Sequence, residues 1–182
     1  MERKTITQTL DLERSFVEPV VKAILHTIIF HRYFGNVVPR DTTILSSITY
    51  ASVENTEVIN TVDAKVHELV QSLSPVVDSK SQISLYFTET KPRRAWFSRS
   101  EEEICWEEWI IYVNYMLQLQ EKAQDQTRQA LLRVIQEMDQ HKEHIPLIAT
   151  NEANPFPYHI SVAPASGIWS SMLKRAIRPG LS

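Results

Sequence analysis

The side chains that could carry out covalent chemistry are few in this sequence. Cys105 is the single cysteine, and its neighbours Ile104 and Trp106 predict a packed thiol, not an activated nucleophile. No G-x-S-x-G motif is present, so the sequence indicates no serine nucleophile of the hydrolase type. We therefore expect no catalytic residue.

Two pairs of histidines are the candidates for a metal site. His26 and His31 are five residues apart, which separates them by about 140° around a helix, so they cannot bind one ion together. His141 and His144 are better spaced, but they precede Pro146 at a predicted helix end and have no evident third ligand. We expect no metal at either pair.

Glycines are too few and too scattered for a phosphate-binding loop. The chain has three, Gly35, Gly167 and Gly180, and no two are close together. Such loops need clustered glycines because their backbone amides must approach the phosphates without a Cβ in the way. The sequence therefore predicts no nucleotide cofactor, and together with the missing nucleophile it predicts a protein that is not an enzyme.

The stretch 91-KPRRAWFSRSEEEICWEEW-109 places two large aromatic residues, Trp96 and Phe97, among basic side chains. Tryptophan and phenylalanine are usually buried. Either this segment folds back so that the rings cover an edge of the core, or the rings are displayed as anchors for a partner. The residues alone leave these two interpretations equal. The basic residues around the pair are Lys91, Arg93, Arg94 and Arg99.

The basic cluster could contact phosphate or anionic lipid. Three glutamates, Glu101, Glu102 and Glu103, follow it directly and offset part of its charge, which favours a solvated loop. Trp106 and Trp109 have the spacing of core residues at the start of a strand. The functional interest of the stretch therefore rests mainly on Trp96 and Phe97.

Composition is typical of one globular domain. The chain has 182 residues, of which 43% are apolar and 23% charged, and its formal net charge is −3. That charge gives no indication of nucleic-acid binding. The polar N-terminus, the single cysteine and the short apolar runs predict a cytoplasmic protein without a transmembrane segment.

Hydrophobic periodicity predicts three helices among several strands. The first helix should be central and nearly buried, beginning at a capping box on Ser15 or at Glu18 before Pro19, and ending at Gly35. Asn55 is the expected N-cap of the second helix. The order predicts an α+β domain with three helices packed on an antiparallel sheet. The predicted segments are strands 4–12, 82–89, 108–117 and 157–164, helices 15–35, 55–74 and 119–141, strand and loop at 37–53, a long loop at 90–107, and a short helix or strand at 166–177.

Three segments in this order resemble the autophagy-related protein 101 family: 23-AILHTIIFHR-32, 85-LYFTETKPRRAWFS-98 and 106-WEEWIIYV-113. The resemblance implies a single HORMA domain over residues 1–182, with a C-terminal segment of the open type. It also implies a non-catalytic subunit of the kinase complex that starts autophagy. Such a subunit is recruited from the cytoplasm to the phagophore assembly site.

The resemblance further implies two kinds of partner. One is the HORMA domain of the scaffold subunit, autophagy-related protein 13, with which the family forms a stabilising heterodimer. The others are downstream autophagy factors, which bind a loop called the WF finger, whose aromatic residues match Trp96 and Phe97. Animal members of the family have a proline between the two aromatics, whereas here they are adjacent. Adjacent side chains of an extended chain point to opposite sides, so we expect Trp96 to be the principal anchor.

Two other interpretations remain open from the sequence. A HORMA adaptor of checkpoint or meiotic signalling would close its C-terminal segment on a partner peptide. A lipid or nucleic-acid binder would use the basic residues at 91–99, and its affinity would fall steeply with salt.

Overall fold

The computed structural model describes residues 3–76, 78–95, 98–117, 119–148 and 154–164, with the backbone alone described at 92–95 and 98–100. Within these ranges the chain forms three helices and six strands. In chain order they are β1 (Lys4–Leu12), α1 (Arg14–Arg32), β2 (Pro39–Ile44), β3 (Ile48–Val53), α2 (Thr56–Ser72), β4 (Lys80–Ala95), β5 (Ser98–Tyr115), α3 (Gln120–Gln140) and β6 (Tyr158–Pro164). None of the described helices is long and apolar enough to cross a membrane.

The main sheet is mixed and has the order β1-β5-β4-β6. β4 pairs antiparallel with both β5 and β6, whereas β1 runs parallel to β5 from Lys4↔Glu107 to Leu12↔Tyr115. The α+β class is confirmed, but the prediction of an antiparallel sheet is wrong at β1. The alternation of β1 marks which face is buried and carries no information on the direction of the neighbouring strand. β2 and β3 form a separate antiparallel hairpin.

α1 is the centre of the core, as its nearly continuous apolar sequence predicts. It contacts α2, α3 and β3, while α2 packs against β4 and β6 and α3 packs against β1. The helices and the sheet bury one continuous apolar cluster between them. Its members on α1 are Val17, Val20, Val21, Ala23, Ile24, Leu25, Ile28 and Ile29.

α1 begins earlier than predicted, at Arg14, and ends before Gly35. Arg14 bonds the C-terminal end of α2, donating from Nη1 to the carbonyl oxygen of Leu73 (2.8 Å) and from Nη2 to that of Val70 (3.0 Å). These bonds hold the first turn of α1 in place and satisfy carbonyls that the end of α2 leaves free. Pro19 therefore lies inside the helix. The early start depends on a tertiary contact, which local capping signals do not contain.

The N-cap of α2 is confirmed. The Asn55 side chain accepts hydrogen bonds from the backbone N–H groups of Glu57 (2.9 Å) and Val58 (3.2 Å). α3 covers nearly the predicted range, and its buried stripe includes Ala123, Thr127 and Val134.

The predicted loop at 90–107 is wrong: this segment belongs to two long strands. β4 and β5 stay paired from Lys80↔Asn114 to Ala95↔Ser98. The prediction fails because Pro92 and many charged residues are typical of loops. Both features are also tolerated in a two-stranded ribbon whose outer edges face water, where they block pairing with other chains.

His26 should make the stability of the fold depend on pH. Its side chain is buried on α1 and stacks on Tyr50, with ring centroids 6.2 Å apart. Burial lowers the pKa of His26 below 6.5, partly offset by the Asp63 carboxylate, while Lys22 and Arg40 lower it further. Below about pH 6.5 the unfolded chain therefore binds this proton more readily than the folded one, so the free energy of unfolding falls as the pH falls.

Replacing His26 with Gln should remove part of that dependence, up to ~1.4 kcal/mol per pH unit. Urea unfolding at several pH values between 7 and 5 measures it. His67→Gln is the control, because His67 is exposed on α2. An unchanged slope in the His26 variant would show that this histidine does not titrate on unfolding.

Candidate functional site

The part of the β4–β5 hairpin that extends past the sheet is the most distinctive feature of the fold. β6 pairs with β4 only as far as Phe87, and β1 pairs with β5 only from Glu107 onward. The eight residue pairs from Thr88↔Cys105 to Ala95↔Ser98 therefore project as a two-stranded ribbon, here named the arm. At the rise of a β-strand the arm is roughly 25 Å long.

Ion pairs and hydrogen bonds stabilise the part of the arm that lies next to the sheet. Lys91 forms an ion pair with Glu89 (2.6 Å) and lies opposite Glu102 in the register. On the other strand, Glu103 accepts hydrogen bonds from Thr88 (3.3 Å) and His159 (2.9 Å). The placement of Lys91 opposite Glu102 and the hydrogen bond from Thr88 to Glu103 are cross-strand relations, which favour pairing in a ribbon that has little apolar surface of its own.

Basic residues occupy the far end of the arm. The register places Arg94 opposite Arg99, and Arg93 opposite Ser100, while Glu101 and Glu102 lie nearer the sheet. In the register, Glu102 lies opposite Lys91, whereas the three arginine positions lie beyond those of the glutamates.

The predicted anchors, Trp96 and Phe97, lie outside the described residues. Their neighbours on each side, Ala95 and Ser98, form the last described pair of the arm. The predicted helix or strand at 166–177 also lies outside them, as does the rest of the C-terminal segment beyond Pro164.

The arm begins at a β-bulge. Phe87 is paired with Glu107 and Thr88 with Cys105, which leaves Trp106 as an extra residue on β5. Because the bulge breaks the alternation, the three consecutive residues from Cys105 to Glu107 are all buried.

Glu107 is a fully buried carboxylate at the foot of the arm, and it binds three side chains. Arg32, at the end of α1, reaches it with Nε (3.1 Å and 3.0 Å to the two oxygens) and Nη2 (2.9 Å). The Trp109 indole Nε1 donates to Oε1 (2.7 Å), and His144 Nε2 donates to Oε2 (2.6 Å). Arg32 also reaches the carbonyl oxygen of His141 at 3.5 Å. One carboxylate thus joins β5, α1 and the segment after α3.

Aromatic side chains surround this cluster. Trp106 packs on Phe87, Phe156 and His144, with ring centroids 5.6, 5.1 and 5.7 Å apart. Trp106 and Trp109 are each only 1% exposed, which confirms the prediction that both belong to the core.

The Cys105 thiol is packed, as predicted. Burial is the main reason that the pKa of this thiol is raised to about 11, and the negative charge of Glu108 contributes a smaller part. The reactive thiolate is therefore scarce at neutral pH.

The Arg32–Glu107–His144 cluster is absent from the sequence-based predictions. In the sequence Glu107 looks like one more member of an acidic run, and the spacing of His144 suggests only a metal pair with His141. A signal exists in the sequence, because Glu107 is two residues before Trp109 and therefore shares its face of the strand. His141 does not join the cluster: its Nε2 lies 3.6 Å from Oε2 of Glu137 on α3.

The fold and the arm define a class of structure: an α+β domain in which a β-hairpin extends beyond a mixed sheet. The sequence comparisons give the family. The model of the family "Autophagy-related protein 101" matches residues 9–152. Autophagy-related protein 101 of Arabidopsis thaliana is 26% identical over 201 aligned positions, covering 94% of this chain and 93% of the plant protein. The protein of that name from Schizosaccharomyces pombe is 27% identical over 182 positions, covering 98% and 97%.

The chain therefore belongs to the autophagy-related protein 101 family, and its role is in autophagy.

Proposed function

We propose that this chain is a non-catalytic adaptor of autophagy initiation. It forms a single HORMA domain over residues 1–182 and pairs with the HORMA domain of the scaffold subunit, autophagy-related protein 13. It acts in the cytoplasm and at the phagophore assembly site, where the end of the arm recruits downstream factors through Trp96 and Phe97. Three helices packed against a sheet agree with the fold that the family resemblance implies.

The observation that carries the recruiting role is the arm itself. Pairing of β4 with β5 continues to Ala95 and Ser98, eight residue pairs past the bulge. The arm is fixed to the core through the bulge and through Glu107. A ribbon fixed at its base and followed directly by two aromatic residues is suited to binding a partner, because a preorganised anchor loses little entropy on binding.

Two observations support a non-catalytic role. The Cys105 thiol is buried, with a pKa of about 11, and is a poor nucleophile. Arg32 and His144 are both bound to the buried carboxylate of Glu107, so their polar groups are engaged in holding the fold.

Among the described helices, the outer face of α3 is the one that offers a partner large exposed apolar side chains. Leu132 (57% exposed) and Ile135 (45%) lie one turn apart on it. The exposed residues of α2 are polar or small, and those of α1 are Ser15 and Glu18. Apolar side chains that are exposed on a helix and spaced by one turn are typical anchors of helix-mediated binding.

Replacing Trp96 with Ala should abolish recruitment by the arm and leave scaffold pairing intact. An aromatic anchor contributes ~2 kcal/mol or more, which corresponds to roughly 30-fold in affinity. The measurement is rescue of autophagic flux in cells that lack the endogenous protein, together with co-purification of the scaffold from the same cells. Phe97→Ala should have a smaller effect.

Ser98→Ala is the control, because it changes the neighbouring position without removing an aromatic ring. The double substitution Arg93→Glu/Arg94→Glu tests an anionic lipid or nucleic-acid surface instead. If this reversal abolishes rescue while Trp96→Ala retains it, the arm works through charge and the proposed aromatic anchor is wrong.

A further inference from the structure

A cleft of about 320 Å³ opens on the side of the fold where α1 ends, α2 begins and β6 begins. Its size is near the lower limit of small-ligand sites, which suits one side chain better than a large cofactor. Its lining residues are Tyr33, Asn55, Glu57, Val58, Thr61, Asn154, Pro157 and Tyr158.

The lining offers acceptors and aromatic rings, and none of its residues is cationic. Glu57 brings a carboxylate from an exposed position. The buried Oδ1 of Asn154 accepts no hydrogen bond from the described residues. Tyr33 and Tyr158 bring two rings, whose faces attract cations.

The hydroxyl of Tyr158 remains protonated over the physiological range. Burial is the main reason that its pKa is raised to about 12, and the negative charge of Glu57 raises it by a smaller amount. A hydrogen bond with Thr61 lowers the pKa, and Tyr33 raises it slightly. The hydroxyl therefore adds a neutral polar group beside Glu57, and the negative charge of the cleft comes from that carboxylate.

The start of α2 does not make the cleft an anion site. The Asn55 side chain already accepts from the N–H groups of Glu57 and Val58, and the N–H of Ile59 bonds the Asn55 carbonyl. These bonds occupy the N–H groups of Glu57, Val58 and Ile59, which are therefore not free to bind an anion. Glu57 lies in the first turn of α2, so its negative charge also interacts favourably with the helix dipole.

We propose that this cleft binds an arginine side chain of a partner protein. A guanidinium group can stack on a tyrosine ring while its five N–H donors reach the Glu57 carboxylate, Asn154 Oδ1 and the tyrosine hydroxyls. A lysine has the same charge but lacks the planar face and the forked donors, so it binds more weakly. The inference is independent of the arm and of α3, because none of the lining residues belongs to either.

Titration of the ¹⁵N-labelled full chain with N-acetyl-L-arginine N-methylamide, followed by NMR, tests the site. We expect saturable shifts of the Glu57, Val58 and Thr61 amides in the millimolar range. The citrulline analogue has nearly the same shape without the charge and should bind at least about tenfold more weakly, since a charge-assisted hydrogen bond is lost. Equal shifts with both probes, or no saturation at these amides, would overturn the proposal.

Glu57→Gln should weaken binding of the arginine probe by a similar factor. Glu68→Gln is the matched control on the same helix, because Glu68 is exposed and pairs with Lys65 at 2.8 Å. Thermal unfolding checks that both variants remain folded. If both variants bind the probe as tightly as the parent chain, the carboxylate of Glu57 is not part of the site.

Discussion

Glu107→Gln should lower the free energy of unfolding by ~3–5 kcal/mol, because Arg32 would keep its charge in the core with no carboxylate beside it. The side chains of Glu107 and Arg32 are 0% and 4% exposed, respectively, so water cannot replace the missing partner. Trp109 and His144 would also lose a charged acceptor. Urea unfolding of the variant and the parent chain measures the difference.

Two further variants isolate the ion pair. Glu108→Gln changes the neighbouring residue, which pairs with Arg3 at 3.3 Å near the surface, and should cost less than ~1 kcal/mol. The double substitution Arg32→Met/Glu107→Gln removes both charges, so it should cost clearly less than the sum of the two single changes. If Glu107→Gln and Glu108→Gln have equal effects, the buried cluster does not stabilise the fold as proposed.

The same variant should loosen the arm. Glu107 is the residue at which the arm leaves the sheet, and it ties β5 to the end of α1. Amide hydrogens of the arm strands should therefore exchange faster in Glu107→Gln than in Glu108→Gln. Such a result would connect the buried cluster to the proposed preorganisation of the aromatic anchors.

The double substitution Leu132→Asp/Ile135→Asp on α3 should prevent pairing with the scaffold HORMA domain. Both residues are more than two-fifths exposed, so the change should have little effect on the fold of the chain itself. At an interface, each aspartate would bury a charge where an apolar side chain is required. Removing two central apolar anchors together should weaken the affinity by roughly 100-fold or more. Sedimentation or size-exclusion of the mixed proteins measures it.

Arg133→Glu provides a matched control. It changes the net charge by the same two units at an exposed position of the same helix, about 100° around the helix from Leu132, without removing an apolar anchor. We expect it to pair as the parent chain does. Retained pairing in the Leu132/Ile135 variant would exclude the outer face of α3 as the docking surface.

The helices and the core can be predicted well from the sequence because their signals are local. The apolar circumference of α1, the Asn55 cap and the alternation of β1 each depend on residues that are close in the chain. The aromatic residues Trp106 and Trp109 are placed correctly in the core for the same reason.

Most of the features that sequence reasoning misses depend on distant residues. The parallel pairing of β1 with β5 joins Lys4 to Glu107, and the early start of α1 depends on bonds from Arg14 to α2. The ion pair of Arg32 with Glu107 spans 75 positions in the chain. The sequence of the arm resembles that of a loop, because proline and charged residues occur both in turns and in two-stranded ribbons that face water.

The most direct test of the proposed function is the mass of the complex formed with the scaffold HORMA domain. The full chain and the HORMA domain of autophagy-related protein 13 would be mixed at micromolar concentration and separated by size-exclusion chromatography with light scattering. We predict one species whose mass is the sum of 21.1 kDa and the mass of the partner. Two separate peaks, each with the mass of a monomer, would contradict the proposal.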